Sequence, residues 1–576
     1  MRWVAGYALW ALVSAVPAHA QSPAESAAAL TTRGRSIEAI LESVIFPERD
    51  TERAVILVID PSRSLRNAQF ATKFAKVLRA NKSQNLRLGV AIIGAKKGDK
   101  ALPPGSDFND VRKRVFDAFG NARNVLRDVY SPLRDVAPLF ARERGQRTII
   151  LVAHQNGDAE YKLEKVIAAL KKSKIRVVVI TREVLLSDAY WYRKALFQTE
   201  KPPANAYRGG SDGAFVDVPW GWLHQDSQLT SVAGSGFAAW GLSRLASATG
   251  GRVEIIYTRP PSRHICGGRL FCRFCDFGDH DPPTQRLLAV RLKAVEPSLE
   301  ARRLVCKRAA SDPYYKAVLR AWSAAYKAGL IVERPAMRRG GGTLVQDWDR
   351  TRNYPSSYMS RLSDFKRAAY DAKLQAGAAN KLAARLRKAI AAGDRTGRGS
   401  DRYRAIAELT YVMLRLTRLN LLYLREFHRE VAPRFVKPEP FEPPEIATRP
   451  IHKDVASYYM SWTTMPLCHG VEPFLHLRLP GGNGLDVELR AFAIDYQTFL
   501  KRNAHTPFTV ALSHMGIARY TVLTLGKGNV KGSTGPARQN PSSGKKQNTA
   551  TAKERERGER DGGKSGGGSG TPTSGG

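Results

Sequence analysis

The sequence predicts an α/β fold, a doubly wound and mostly parallel sheet, followed by a mainly α-helical C-terminal region and a disordered tail. Three observations predict it. Ala54 to Ile59 is an unbroken, largely β-branched apolar run, the pattern of a strand covered on both faces. Similar short runs alternate with segments of helical periodicity over residues 35–258, as a parallel sheet with crossover helices requires. From Asp312 onward the apolar spacing becomes mainly helical, and over residues 526–576 apolar side chains almost vanish among Gly, Ser, Lys and Glu.

The elements follow in order. Ser36 to Ile45 places Ile37, Ile40, Leu41 and Val44 on one helical face. Ala54 to Asp60 is the first strand. Arg66 to Leu78 is helical through Phe70, Phe74, Val77 and Leu78, and Leu86 to Ile93 is a strand ended by Gly94. Asp107 to Phe119 is a helix capped by Ser106 or Asp107. Pro132 to Glu143 is another, with proline in the first turn, where its missing N–H costs nothing. Thr148 to Val152 is a strand, Tyr161 to Leu170 a helix and Ile175 to Ile180 a strand. Gly236 to Ala248 is a helix closed by Thr249-Gly250-Gly251, and Val253 to Tyr257 is the last strand.

Residues 259–311 form a cysteine-bearing connector, and residues 312–435 a helical domain. In the latter Tyr314 to Leu330 is helical; Ser357 to Ala391 and Asp401 to Glu430, joined by a loop from Gly393 to Ser400, make an antiparallel hairpin. A Pro/Glu linker spans 436–453. Residues 454–525 are a small mixed region with a strand at Leu475 to Leu479 and helices at Leu485 to Arg502 and Phe508 to Arg519.

Residues 1–20 have the layout of a secretory signal peptide. Met1-Arg2 is followed by an apolar run from Trp3 to Val16, Pro17 and the small-x-small Ala18-His19-Ala20. That run is short for a bilayer span, and no later segment is long and apolar enough for one. The expectation is an exported protein of the periplasm, cell envelope or extracellular space, without a transmembrane segment after signal cleavage. The 91 Lys+Arg against 52 Asp+Glu give a net charge of +39, which argues against tight binding to another strongly basic surface. An acidic polysaccharide or an anionic surface fits as a partner; export makes genomic DNA an unexpected one.

In doubly wound sheets, ligands bind beyond the carboxyl ends of the strands. There the first strand runs into Asp60-Pro61-Ser62-Arg63-Ser64, a carboxylate and two hydroxyls at alternate positions on a tight turn. Such an oxygen set suits a hard divalent cation. This D-x-S-x-S resembles the metal-ion-dependent adhesion site of von Willebrand factor type A domains. Ser131-Pro132-Leu133-Arg134-Asp135-Val136 is similar to that family's second metal loop, with Ser131 at the coordinating Thr. Leu242-Ser243-Arg244-Leu245-Ala246 and Thr249-Gly250-Gly251 resemble its final helix and closing turn. The resemblance covers under half the chain. It implies a Mg²⁺ site built from Asp60, Ser62, Ser64 and Ser131, and a non-enzymatic role in recognising a protein or matrix ligand.

The third loop departs from the family. Ile149 to Val152 runs into Ala153-His154-Gln155-Asn156-Gly157-Asp158, with His154 where the family has Asp. A neutral imidazole supplies no second carboxylate and prefers softer metals. Two readings stay open: a weak Mg²⁺ site completed by Asp158, and a retired site whose turn caps the next helix. Ser62, Ser64, His154 and Asp60 also hold the residue types of a nucleophilic triad, a remote hydrolase alternative lacking a G-x-S-x-G frame.

An aromatic-rich insert, 187–234, carries Tyr190, Trp191, Tyr207, Trp220, Trp222 and His224 and either shapes the binding edge or packs as extra core. Cys266, Cys272 and Cys275 suit a disulfide in an exported chain, with zinc as the alternative; five cysteines leave one thiol unpaired. The run Arg361, Lys366, Arg367, Lys373, Lys381, Arg385, Arg387 and Lys388 forms a basic, solvated helix face that few acids balance; separately, a structural envelope protein that binds polyanions through its overall charge is the alternative to a specific binding protein.

Overall fold

β1 (Arg53–Ile59) is buried at every position, because an interior strand with helices on both faces has no solvent side. The computed structural model describes residues 36–46, 52–61, 69–80, 85–94, 101–120, 128–153, 160–181, 183–184, 186, 210, 212–213, 235–256, 289–330, 362–436, 455–467, 483–513 and 515–526. The signal segment, the connector cysteines other than Cys306, the linker, the strand expected at Leu475 to Leu479 and the tail lie outside the described residues.

β1 pairs in parallel with β2 (Leu86–Ile92) on one side and β3 (Gln146–Val152) on the other; β4 (Ile175–Thr181) and β5 (Val253–Ile255) follow. The order is β2-β1-β3-β4-β5, with every pairing parallel. Leu102 adds a single antiparallel bridge to Val90. One face of β1, with Val55, Leu57 and Ile59, packs under α1 (Ile37–Ile45), α2 (Phe70–Ala80) and α3 (Phe108–Gly120). The other, with Ala54, Ile56 and Val58, packs under α4 (Ser131–Val136), α5 (Leu163–Lys172) and α6 (Trp240–Ala248).

Local chemistry sets the helix ends. Ser36 Oγ accepts from Ala39 N–H at 3.1 Å, and Asp107 Oδ1 from Asn109 N–H at 2.7 Å, so Asp107 rather than Ser106 makes that cap. The helix expected from Tyr161 opens as a 3-10 turn and becomes α at Leu163, that expected to Leu330 ends at Lys327, and two others are cut short by local chemistry. α4 gives way at Val136 to a 3-10 turn, Ala137–Phe140, since Pro138 has no N–H with which to continue an α-helix. α6 starts at Trp240 rather than Gly236. Gly236 has φ +79°, its N–H is taken by the Glu183 carboxylate, and Ser235 Oγ accepts from Phe237 N–H, which makes a turn of the preceding residues.

The second face of the sheet shares one apolar core with the helical region. That region comprises α7 (Ala289–Ala294), α8 (Arg302–Ser311), α9 (Pro313–Lys327), α10 (Leu362–Thr396), α11 (Asp401–Val436), α12 (Asn483–Asn503) and α13 (Pro507–Ser513). α10 and α11 form the expected antiparallel hairpin. The loop expected from Gly393 is shorter, because α10 runs on to Thr396. Gly393 lies against the ring of Tyr314, where an added Cβ would stand 2.5 Å from a ring carbon, and the Tyr314 hydroxyl donates to Asp394 Oδ1 at 2.6 Å.

A buried ion pair ties insert to hairpin. Arg402 Nε donates to Asp212 Oδ2 at 2.7 Å, both side chains under 5% exposed, and Arg402 Nη1 donates to the Val295 carbonyl at 2.9 Å. Beside it Trp240 Nε1 donates to the Ser298 carbonyl at 2.8 Å, with the Arg302 guanidinium stacked 4.5 Å from its ring.

The helix expected over Phe508 to Arg519 is corrected. α13 ends at Ser513, and β7 (Gly516–Gly526) pairs antiparallel with β6 (Val455–Pro466). Thr, Val, Leu and Tyr dominate 520–525, side chains that suit a pleated strand better than a helix surface. The ribbon abuts α11, as a two-stranded sheet requires for stability.

Candidate functional site at the carboxyl edge of the sheet

The chain leaves β1 to one side for β2 and returns on the other for β3, so the switch in strand order lies between β1 and β3. Asp60 stands there. Its N–H donates to the Val152 carbonyl at 2.8 Å, which carries the β1–β3 ladder one residue past the paired Ile59 and Val152. The residue is 8% exposed, a nearly buried aspartate at the crevice. Ala153 and Thr181 occupy the same level on β3 and β4, one residue beyond the paired Val152 and Ile180. Strand alternation puts Asp60, Ala153 and Thr181 on the face covered by α4, α5 and α6. Thr181 is fully buried and its Oγ1 has no hydrogen-bond partner among the described residues.

Ser131 belongs to the same edge. α4 and its 3-10 extension lead from Ser131 toward the amino end of β3, so Ser131 starts at the opposite, carboxyl end. Contact confirms this. Lys162, in the turn before α5 and downstream of the β3 carboxyl end, donates from Nζ to Ser131 Oγ at 2.9 Å and to Asp128 Oδ2 at 2.6 Å. Asp128 Oδ1 in turn accepts from Tyr130 N–H at 2.9 Å and Ser131 N–H at 3.0 Å, which fixes the turn into α4. Burial pushes the Asp128 carboxyl up, but the Lys162 ammonium, the Ser131 hydroxyl and the two backbone N–H groups outweigh it and hold it below its ordinary value. The Lys162 ammonium is raised by the Asp128 carboxylate.

The structure thus places Asp60 and Ser131 on one edge, whereas Ser62, Ser64, His154 and Asp158 lie outside the described residues. Among the described residues, no three His, Cys, Asp or Glu side chains gather as a metal would need. The Ser131 hydroxyl, named above as a Mg²⁺ ligand, accepts from the Lys162 ammonium. Asp128, Lys162 and Thr181 escaped the sequence reading. For Asp128 a signal existed, an Asp three residues before a Ser-Pro helix start, which is Asx-turn chemistry. Lys162 lies 34 residues from Asp128 in sequence and carries no local sign of the contact.

The Thr249-Gly250-Gly251 turn has its own account at the other end of the sheet. Thr249 Oγ1 accepts from Val177 N–H at 3.1 Å, Gly250 has φ +72°, and a Cβ on Gly251 would lie 1.7 Å from the Val177 carbonyl oxygen. Cys306 carries a free thiol against the Gly213 carbonyl. Cys266, Cys272 and Cys275, and with them the choice between disulfide and zinc, lie outside the described residues, as does nearly all of the 187–234 insert.

No protein-family model and no curated protein sequence matches the chain.

Proposed function

We propose that this is an exported, non-enzymatic binding protein, whose α/β unit is a von Willebrand factor type A-like domain recognising a protein or matrix partner at the carboxyl edge of its sheet. The observation that carries the reading is the buried Asp60 carboxylate at the β1/β3 switch point. The Thr181 hydroxyl, level with it on the same face and without a hydrogen-bond partner among the described residues, is a second polar group at that level. Mg²⁺ assistance through Asp60, Ser62, Ser64, Ser131 and Asp158 is secondary in this reading, since an ion reaching Ser131 Oγ competes with the Lys162 ammonium for it.

The test is capture from an envelope extract by full-length protein, wild type and Asp60→Ala, with Mg²⁺ and with chelator. A defined partner, retained by wild type, lost in Asp60→Ala and only partly reduced by chelation, is the expected result. A second reading, a basic envelope protein in which charge does the work, draws on the net charge of +39. Retention on heparin that falls steeply with salt, together with a captured set identical in the Asp60→Ala variant, would replace the first reading by the second.

A further inference from the structure

α10 turns a long face to solvent that is unlike the rest of the helix. Its inward stripe, Ala372, Ala376, Ala379, Ala383, Leu386 and Ile390, is buried in the shared core. On the opposite side of the helix lie Lys366, Arg367, Lys381, Arg385, Lys388 and Arg395, all exposed. None of these six has an ion-pair partner among the described residues. No carboxylate stands on this outermost stripe: Asp371 and Asp394 sit on its flanks. The remaining positions are Gly377, Ala384 and Ala392, small enough to let the helix approach a plane, and two large exposed side chains, Tyr370 at 59% and Leu374 at 55%. From Arg367 to Arg395 the ridge runs for about 42 Å at ~1.5 Å per residue.

We infer that this ridge docks on an anionic lipid surface, lying flat with Tyr370 and Leu374 entering the headgroup boundary and the six cations facing lipid phosphates. Charge complementarity alone would suit any polyanion. The choice of a bilayer rests on the exposed apolar pair within the basic stripe. Leu374 and Tyr370 stand i,i+4 on one helix with Lys366 and Arg367 on one side and Lys381 on the other, the arrangement of an interfacial helix that anchors by apolar insertion and holds by charge. This surface is separate from the sheet edge, and the inference stands or falls independently of the function proposed for that edge.

Co-sedimentation of the full-length protein with phosphatidylcholine vesicles containing about one-third phosphatidylglycerol tests it. Expected are binding to these vesicles, little to pure phosphatidylcholine, and roughly a tenfold or greater loss for Lys381→Glu/Arg385→Glu/Lys388→Glu. Because the net charge alone attracts anions, the control is an equal charge change elsewhere, Lys165→Glu/Lys171→Glu/Lys172→Glu on the exposed side of α5, with a loss under about twofold. Tyr370→Ser/Leu374→Ser keeps every charge and is expected to weaken partition by about three- to tenfold. These positions are solvent-exposed, so unchanged thermal unfolding by circular dichroism checks that each variant folds. Equal losses in the two charge variants would show net charge at work and overturn the inference. Full binding by the Tyr370→Ser/Leu374→Ser variant would also overturn it, leaving an electrostatic surface for polyanions in general.

Discussion

At the amino end of the sheet, arginines meet the carbonyls that helix ends leave over. Arg53 donates to Ile45 O at 3.2 Å and Arg252 to Ser43 O at 3.1 Å, at the end of α1. Arg147 bridges Ser173 O at 3.2 Å, past the end of α5, and Glu143 O at 2.9 Å. Glycines there admit backbone too close for any side chain: a Cβ on Gly145, at φ +74°, would lie 2.3 Å from Glu52 O. At the carboxyl end two of the same strands finish in Asp60 and in Thr181, whose hydroxyl has no partner among the described residues, and the Asp128–Ser131–Lys162 cluster lies at that edge. The amino end spends its polar groups on holding the scaffold together. The carboxyl end instead gathers charged and hydroxyl side chains around the switch point, and recognition is proposed there because such sheets bind ligands beyond the carboxyl ends of their strands.

The contrast breaks most visibly at Gly251. Gly251→Ala forces a Cβ into the Val177 carbonyl, where backbone on both sides must move, so a loss of about 3 kcal/mol or more is expected from urea unfolding. A loss under about 1 kcal/mol would mean that the amino end is more pliable than its contacts imply.

Asp128→Ala comes next. It removes the cap of the turn into α4 and the partner of Lys162, for an expected cost of about 1–2 kcal/mol. Its pH dependence has a definite sign. The folded carboxyl titrates below its ordinary 3.8, so the contribution is present above that value and is lost as pH falls through the lowered folded value. Wild type and Asp128→Ala should therefore converge in stability in strong acid; a gap that stayed constant there would place the effect in packing rather than charge.

The smallest effect, on affinity rather than stability, concerns Mg²⁺. Weak binding is expected in the wild type by calorimetry, tightened several-fold both by Lys162→Met, which frees Ser131 Oγ, and by His154→Asp, which adds an anionic ligand. Asp60→Ala is expected to abolish it. Binding that Lys162→Met leaves unchanged would separate Ser131 from any metal role, and tight wild-type binding lost in His154→Asp would make the imbalance one of ligand softness, pointing to a metal such as zinc.

How much of this could be read from the chain alone depends on distance along it. Ala54 to Ile59 announces a strand covered on both faces, and it is one, buried at all of its positions. The stripes of α2, with Phe70, Phe74, Val77 and Leu78, and of α11, with Ile406, Leu409, Met413, Leu416, Leu419 and Tyr423, are where periodicity puts them, because rotation per residue follows from local backbone sterics. Asp60 could be singled out by its place directly after such a strand. Where helices end was less legible: Pro138 and Gly236 shorten two of them, and the contact with Tyr314 lets another run through Gly393.

The contacts that define the carboxyl edge and join the two halves belong to tertiary structure. Lys162 reaches Asp128 across 34 residues, Arg402 reaches Asp212 across 190, and β7 finds β6 with two helices between them in sequence. No periodicity encodes such meetings, since each depends on which faces the packed core brings together. Sequence patterning by itself determined the α/β scaffold and the residue that ends its first strand. Which cation lies on Ser131 and which hydroxyl stays unpaired were decided by packing, because a buried charge or hydroxyl takes whatever partner the surrounding elements carry to it.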